Sequence, residues 1–227
     1  MKSEIVLALD VDNLTQARYF INKLYPVIKI FKVGSQLFTS CGPKIIEIIN
    51  KKGAGVFLDL KFFDIPNTVS GAVRLAVRHK VKMLTLHILG DEEMIKAAVF
   101  AASDEAKKIH IKQPLLIGVT VLTSKDAKSS DVLTLARMGI ESGLDGVVCS
   151  AREAKMLRDN IKGKFTIVTP GIRPKGSFKN DQKRTATVGE AISAGSNFLV
   201  VGRPILEADD PNAAAKEILG EIYARRD

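Results

Sequence analysis

The chain has 227 residues, of which 46% are hydrophobic, and its formal net charge is +9. This composition provides one large core, so we expect a single domain over residues 1–227. The basic residues are scattered, and no basic run is longer than a pair such as Lys51 and Lys52. Such a distribution disfavours a nucleic-acid surface. A generally positive surface, or attraction of a small anionic substrate, accounts for the charge equally well.

The cysteine content and the apolar runs bear on the cellular location. Cys41 and Cys149 are the two cysteines, and neither has a neighbour at metal or redox spacing. They support neither a disulfide framework nor a structural zinc site, so we expect a reducing, cytoplasmic environment. No apolar run approaches the roughly 18 residues of a membrane span, and no signal-peptide pattern opens the chain. We therefore expect a protein that is neither secreted nor membrane-spanning.

Eight short apolar runs rich in Val, Ile, Leu and Phe are typical of buried strands. In chain order they cover residues 5–10, 30–34, 55–61, 83–87, 115–121, 146–150, 165–171 and 198–203. The segments that follow them have the periodicity of amphipathic helices. These helices are predicted at residues 14–27, 43–52, 68–79, 92–108, 132–142, 152–160, 188–194 and 212–224.

The predicted order is a strand followed by a helix, repeated along the chain. Strands that lack apolar and polar alternation are buried on both faces, as in a parallel sheet covered by helices. The Gly-x-Gly-x-x-Gly pattern of an open nucleotide-binding sheet is absent. We therefore predict an α/β fold, a single (β/α)8 TIM barrel. Residues 173–184 follow the seventh strand with poor periodicity, and we expect them to form a mobile loop.

Polar residues mark the ends of several predicted strands, although the strand interiors are apolar. They are Asp10, Lys32, Asp59, Lys61, His87, Arg173 and Arg203. Barrels of this kind place their active sites at the carboxyl ends of the strands. We therefore predict that these side chains converge on a catalytic mouth.

The third strand carries Asp59 and Lys61, and Asp64 follows on the turn just beyond it. A side-chain period of two places Asp59 and Lys61 together on the face toward the barrel interior. Buried charges are costly unless they compensate each other, so a purely structural ion pair is one explanation. Lys32, from the neighbouring strand, would extend the pair into a network, and this favours a catalytic site.

A second candidate site follows the eighth strand. Gly202 permits close backbone approach, and the forked guanidinium of Arg203 can bind an anion. Arg173 and Gln182 lie in the segment after the seventh strand, and the loops after strands seven and eight often bind phosphate in such barrels. An ordinary loop is the alternative, but we expect a phosphorylated substrate.

His87 and Cys149 are the remaining reactive side chains near strand ends. Neither has an acidic orienting group or a nucleophile nearby in sequence, so a core or rim position is favoured over catalysis. The sequence also lacks a Ser, His and Asp constellation and a pair of His or Cys residues at metal spacing. No metal site is predicted.

Seven motifs resemble those of the bacterial type of orotidine 5′-phosphate decarboxylase, and they occur in the family's order. They are LALD at 7–10, FKVG at 31–34, DLKFFDIPNTV at 59–69, VTVLTS at 119–124, VTPGIRP at 168–174, DQKR at 181–184 and LVVGRPI at 199–205. Two features depart from the pattern. Phe63 stands where bacterial members often carry a histidine, and LHILGDEE replaces a glycine-rich stretch after the fourth strand.

The resemblance implies a cofactor-independent decarboxylase that converts orotidine 5′-monophosphate to uridine 5′-monophosphate (UMP) and carbon dioxide in pyrimidine biosynthesis. It implies that Lys61 is the proton donor and that Asp59 lies against the substrate carboxylate. Lys32 and Asp64 would complete an alternating array of charges.

The resemblance also assigns binding roles. Asp10, Lys32 and Thr68 would hold the ribose, and Thr123 would lie near the pyrimidine. Phosphate would be held by a group of residues after the last two strands, namely Gln182, Arg203 and the Gly202 backbone, with Arg173 in support.

The family is dimeric, which implies a homodimer with shared active sites. Asp64 and the segment after it would reach into the partner's site. That segment comprises Ile65, Pro66, Asn67 and Thr68.

Two other functions fit a charged barrel mouth. One is a sugar-phosphate decarboxylase or aldolase on the same barrel, which would need a metal and ignore the pyrimidine. The other is a catalytically idle barrel that binds nucleotides as a sensor. The decarboxylase is favoured by the IPNT continuation after Asp64 and by the motifs that contain the predicted phosphate residues, namely VTPGIRP, DQKR and LVVGRPI.

Overall fold

The structure is a computed structural model, and it describes residues 3–121, 128–174 and 185–225. Eight parallel strands pair in sequence order, and the eighth pairs with the first to close the barrel. The strands are β1 Glu4–Ala8, β2 Ile30–Gly34, β3 Gly55–Phe62, β4 Met83–His87, β5 Leu115–Val119, β6 Gly146–Val148, β7 Thr166–Thr169 and β8 Phe198–Val201. The predicted (β/α)8 barrel is confirmed.

Helices follow the strands around the outside of the barrel. They are α1 Leu14–Leu24, α2 Ser35–Cys41, α3 Lys44–Lys51, α4 Pro66–Arg78, α5 Asp91–Lys108, α6 Ser129–Glu141, α7 Ala151–Asn160, α8 Val188–Ser193, α9 Arg203–Leu206 and α10 Pro211–Tyr223, with a 3-10 turn at Ile88–Gly90. No helix in the described ranges is long and apolar enough to cross a membrane.

The elements differ from their predicted bounds in three ways. The first helix ends at Leu24 rather than at 27, because Pro26 cannot continue it. Most strands end earlier than predicted, since the chain leaves the sheet at the barrel mouth. The helices α2 and α9 are not among the predicted helices: α9 has four residues, little more than one turn, and α2 lies between the second strand and the helix predicted at 43–52.

Two apolar layers build the fold. The outer layer lies between the strands and the helices. The inner layer fills the barrel with side chains from β1 to β5 and from β7 and β8, namely Val6, Ala8, Ile30, Phe57, Met83, Ile117, Val168, Phe198 and Val200. Because side chains alternate along a strand, residues two positions beyond these face the interior nearer the mouth. Asp10, Lys32, Asp59 and Thr85 occupy such positions.

Candidate active site

A pocket of about 900 Å³ opens at the carboxyl ends of the strands. This is the end at which barrels of this architecture place their catalytic residues. Residues on and just after β1 to β3 supply one charged wall, and the segments after β7 and β8 supply the wall next to it, since β8 pairs with β1. The predicted site residues that line it are Asp10, Lys32, Asp59, Lys61, Arg173, Gly202 and Arg203.

Four of these residues form a row of alternating charge. The Nζ atom of Lys32 lies 3.0 Å from Oδ1 of Asp10 and 3.7 Å from Oδ2 of Asp59. The Nζ atom of Lys61 lies 2.9 Å from Oδ1 of Asp59. Asp59 therefore faces two lysines, and the arrangement is a network rather than a single structural pair.

Burial differs along the row. The side chains of Lys32 and Asp59 are 12% and 14% exposed, whereas those of Lys61 and Asp10 are 35% and 53% exposed. The inner members are held in place by the barrel, and Lys61 extends its ammonium group into the open pocket. A substrate can therefore contact Lys61 without displacing Asp59.

The backbone at Lys61 departs from regular strand geometry. Its φ is +51°, in the left-handed region that L side chains rarely occupy. The register between β3 and β4 also shifts between Leu58 and Phe62. The strand therefore bulges in the stretch that contains Asp59 and Lys61. Bulges are common beside active sites, where they redirect a side chain.

The segment after β3 does not join the row within one chain. Asp64 is exposed, and its carboxylate accepts a hydrogen bond from the backbone amide of Ile65 at 2.7 Å. None of the predicted residues from this segment lines the pocket, although all lie in the described part of the chain; they are Asp64, Ile65, Pro66, Asn67 and Thr68. Their predicted action in a partner's site stays a prediction.

Three of the predicted phosphate residues, Arg173, Gly202 and Arg203, line the side of the pocket formed after β7 and β8. The backbone amide of Arg173 donates to Ala186 at 2.9 Å, which fixes the strand end. The Nε atom of Arg173 is buried and has no hydrogen-bond partner among the described residues. That donor is available to an anion. Gln182 and Thr123, also predicted here, lie outside the described residues.

Gly202 leaves space where β8 meets the pocket. A Cβ atom at this position would come no closer than 3.5 Å to Ala8 and 3.8 Å to Asp10. The site therefore has room beside the backbone next to Arg203, which begins α9. That room would let an anion approach the backbone closely, and phosphate binding at Gly202 stays a prediction.

Thr85 was not predicted as a site residue. It is fully buried on β4, and its hydroxyl contacts both Asp59 and the backbone of Lys61. A single hydroxyl in an apolar strand gives no sequence signal of its own. Its spacing of two residues from the interior Met83 could have identified it.

His87 and Cys149 occupy the structural positions that the sequence favours. The ring of His87 packs against Phe63 at the rim, with the ring centroids 5.6 Å apart. Cys149 is buried, and burial raises the pKa of its thiol far above the ordinary range. A raised thiol pKa disfavours the thiolate, which is the nucleophilic form. No group of three or more His, Cys, Asp or Glu side chains that could hold a metal lies within the described ranges.

Comparisons with known proteins cover nearly the whole chain. A curated orotidine 5′-phosphate decarboxylase of Moorella thermoacetica is 43% identical over 97% of this chain and 92% of its own length. One from Syntrophomonas wolfei is 46% identical over 97% of this chain and 98% of its own length.

A solved structure is also similar to the chain over nearly its full length. The crystal structure of orotidine 5′-phosphate decarboxylase from Lactobacillus acidophilus superposes with a TM-score of 0.86 at 37% identity, covering 97% of this chain and 99% of that one. The profile of the orotidine 5′-phosphate decarboxylase / HUMPS family matches residues 3–218. On its fold, its charged pocket and these matches, the chain belongs to the orotidine 5′-phosphate decarboxylase / HUMPS family.

Proposed function

We propose that the chain decarboxylates orotidine 5′-monophosphate to UMP and carbon dioxide, a step of pyrimidine biosynthesis. The observation that carries this function is the row of Asp10, Lys32, Asp59 and Lys61 in the barrel mouth. The names of the similar proteins supply the substrate. The activity that the motif resemblance implies is the one that these proteins are named for.

The reaction needs positive charge beside the reacting carbon. When the bond from carbon 6 of the pyrimidine to the carboxylate breaks, carbon dioxide leaves and the electron pair stays on carbon 6. That carbanion has no adjacent electron sink. The ammonium group of Lys61 stabilises the developing charge and transfers a proton to carbon 6. A proton from the solvent then restores the ammonium form of Lys61, so the net reaction consumes one solvent proton for each carbon dioxide released.

Asp59 acts on both the proton donor, Lys61, and the substrate carboxylate. Asp59 holds Lys61 in place through the 2.9 Å contact between Nζ and Oδ1. When the substrate carboxylate lies beside Asp59, the two like charges repel each other, and the departure of carbon dioxide removes that repulsion. Lys32 balances Asp59 from the other side at 3.7 Å.

Binding energy comes from parts of the substrate that do not react. Arg203, the backbone at Gly202 and Gln182 hold the phosphate in this proposal, and Arg173 supports them. Asp10 and Lys32 bind the ribose, while Thr123 lies near the pyrimidine. Remote contacts of this kind can offset strain at the reacting carbon.

A homodimer completes the site in this proposal, with Asp64 and Thr68 contributed by the partner. Asp64 is flanked by the exposed side chains of Phe63 and Ile65, at 60% and 66% exposure, and Leu89 is 59% exposed. Large apolar side chains that are this exposed are typical of a surface that is covered by another protein chain. A twofold axis would bring the same segment of both copies together.

The cysteines support a cytoplasmic location for the enzyme. Cys41 and Cys149 are both free thiols, and Cys149 is buried. A reducing compartment preserves such thiols.

The test is the loss of orotidine 5′-monophosphate absorbance in the presence of a chelator and with no added cofactor. Turnover under these conditions supports the decarboxylase. A requirement for divalent metal, with no action on the pyrimidine, would favour the sugar-phosphate enzyme. Tight binding of UMP without turnover would favour a nucleotide sensor.

A further inference from the structure

The bulge in β3 leaves Lys61 without a regular strand partner. β3 pairs with β4 at Leu58 with Leu84 and again at Phe62 with Leu86. Four steps along β3 therefore face two steps along β4, so the intervening residues cannot all join the ladder. Lys61 adopts its left-handed φ of +51° within this stretch.

Thr85 is the β4 residue between those two pairing positions. Its side chain is fully buried, and its Oγ1 atom accepts a hydrogen bond from the backbone amide of Lys61 at 2.9 Å. The same hydroxyl donates to Oδ1 of Asp59 at 3.0 Å. Since a hydroxyl has one proton, these two contacts fix its orientation.

The Thr85 hydroxyl therefore replaces a hydrogen bond that regular pairing between β3 and β4 would otherwise supply. It accepts a hydrogen bond from the backbone amide of Lys61, which has no pairing partner on β4 in this stretch. It also fixes the Asp59 oxygen to which the ammonium group of Lys61 is bound. One atom thus fixes the backbone of the lysine and the carboxylate that orients its side chain. Unusual backbone conformations persist only when their surroundings hold them.

We propose that Thr85 is a positioning residue for the reaction: its hydroxyl holds Lys61 and Asp59 in their reactive geometry. This inference rests on the proposed function of Lys61 as proton donor. Thr85 is not among the residues that line the pocket, so it acts through its two neighbours rather than on the substrate.

The two Thr85 variants separate this role from simple packing. Thr85→Val keeps the shape and removes the hydroxyl, whereas Thr85→Ser keeps the hydroxyl. The matched control is Thr169→Val, because Thr169 is also a fully buried strand threonine, and its hydroxyl contacts Ser196 at 2.6 Å.

We expect Thr85→Val to lower kcat on the order of 100-fold, the effect of a small misplacement of a reacting group. KM and the affinity for UMP should change by less than about twofold, because the substrate-binding contacts remain. Thr85→Ser should recover most of kcat, and Thr169→Val should keep the wild-type value. Thermal unfolding establishes that each variant is folded, and Thr85→Ala replaces Thr85→Val should the latter fail to fold.

Three results would overturn the inference. They are a folded hydroxyl-free variant with wild-type kcat, a Thr85→Ser variant as slow as Thr85→Val, and a loss confined to KM. Wild-type protein without any turnover would instead overturn the proposed function, and the inference with it.

Discussion

Asp59 and Lys61 are two residues apart on one strand, and their charged atoms lie 2.9 Å apart at the barrel mouth. In a regular strand, side chains two apart are parallel neighbours. Here the bulge and the left-handed backbone of Lys61 accompany the direct contact. The carboxylate of Asp59 also lies 3.7 Å from Lys32, so one partly buried acid contacts two cations.

Arg203 provides a test of phosphate recognition. We expect Arg203→Ala to raise KM by about 10- to 100-fold, because a hydrogen bond between charged groups contributes about 1.5–3 kcal/mol. The change in kcat should be smaller, since the reacting carbon is remote from the phosphate. Steady-state kinetics with orotidine 5′-monophosphate measures both.

Arg152→Ala is the matched control for Arg203. Arg152 is an exposed arginine on α7 that does not line the pocket. It tests whether loss of one positive charge from a basic protein is enough to weaken substrate capture. An unchanged KM in Arg203→Ala, or an equal rise in Arg152→Ala, would argue against the assigned phosphate site.

The proposed sharing of each active site between two chains predicts complementation between inactive variants. Lys61→Ala and Asp64→Asn should each be nearly inactive alone. When they are co-expressed, a mixed dimer contains one site with an intact Lys61 and an intact Asp64. With random pairing, roughly a quarter of all sites are intact, so about that fraction of wild-type activity should return.

The control for complementation is the pair Lys61→Ala and Lys32→Ala. Both residues line the pocket of the same chain, so every mixed site lacks one of them. No recovery is expected from this pair. Equal recovery in both mixtures, or none with Asp64→Asn, would show that Asp64 does not act across an interface. Sedimentation of the wild-type protein as a monomer would refute the dimer itself.

Glu105 links α5 to α4 and predicts a pH dependence of stability. Its buried carboxylate accepts from Arg78 at 2.7 Å and lies 3.5 Å from Arg74. The hydrogen bond from Arg78 lowers the pKa of Glu105 below its ordinary value of 4.5. A lowered carboxyl pKa stabilises the folded state above the unfolded-state pKa, and this contribution is lost as the pH falls through the folded-state value.

We therefore expect the melting temperature of the wild type to fall as the pH drops below about 4.5, partly through Glu105. Glu105→Gln should melt at a lower temperature at neutral pH and depend less on pH in the acidic range. Glu47→Gln is the control, because Glu47 is half exposed and pairs with Lys44 on one helix. Identical acid profiles for Glu105→Gln and the wild type would contradict this account.

Much of the fold follows from the sequence because its signals are local. Apolar runs predict all eight strands, and two of them, at 30–34 and 83–87, have the predicted bounds. Among the described residues, helix periodicity misses α2 and α9. Strand parity also brings Lys32, Asp59 and Lys61 to one pocket.

The rest of the site depends on geometry that the sequence does not encode locally. The partnership of Thr85 with Lys61 requires the register shift between β3 and β4, which no pattern in either strand reveals. The exposed position of Asp64 follows from the path of the chain after the barrel wall ends. Its proposed role depends on a second copy of the chain. Residue spacing indicates a charged site, whereas only the resemblance of the motifs indicates the substrate.

The most direct test of the account is the decarboxylation rate of Lys61→Ala beside that of the wild type, both with chelator and without any cofactor. We expect the wild type to consume orotidine 5′-monophosphate. The variant should retain its circular dichroism spectrum and melting transition and lose at least about 10²- to 10⁴-fold in kcat, the usual contribution of a positioned proton donor. A folded Lys61→Ala variant with full activity would contradict the central claim.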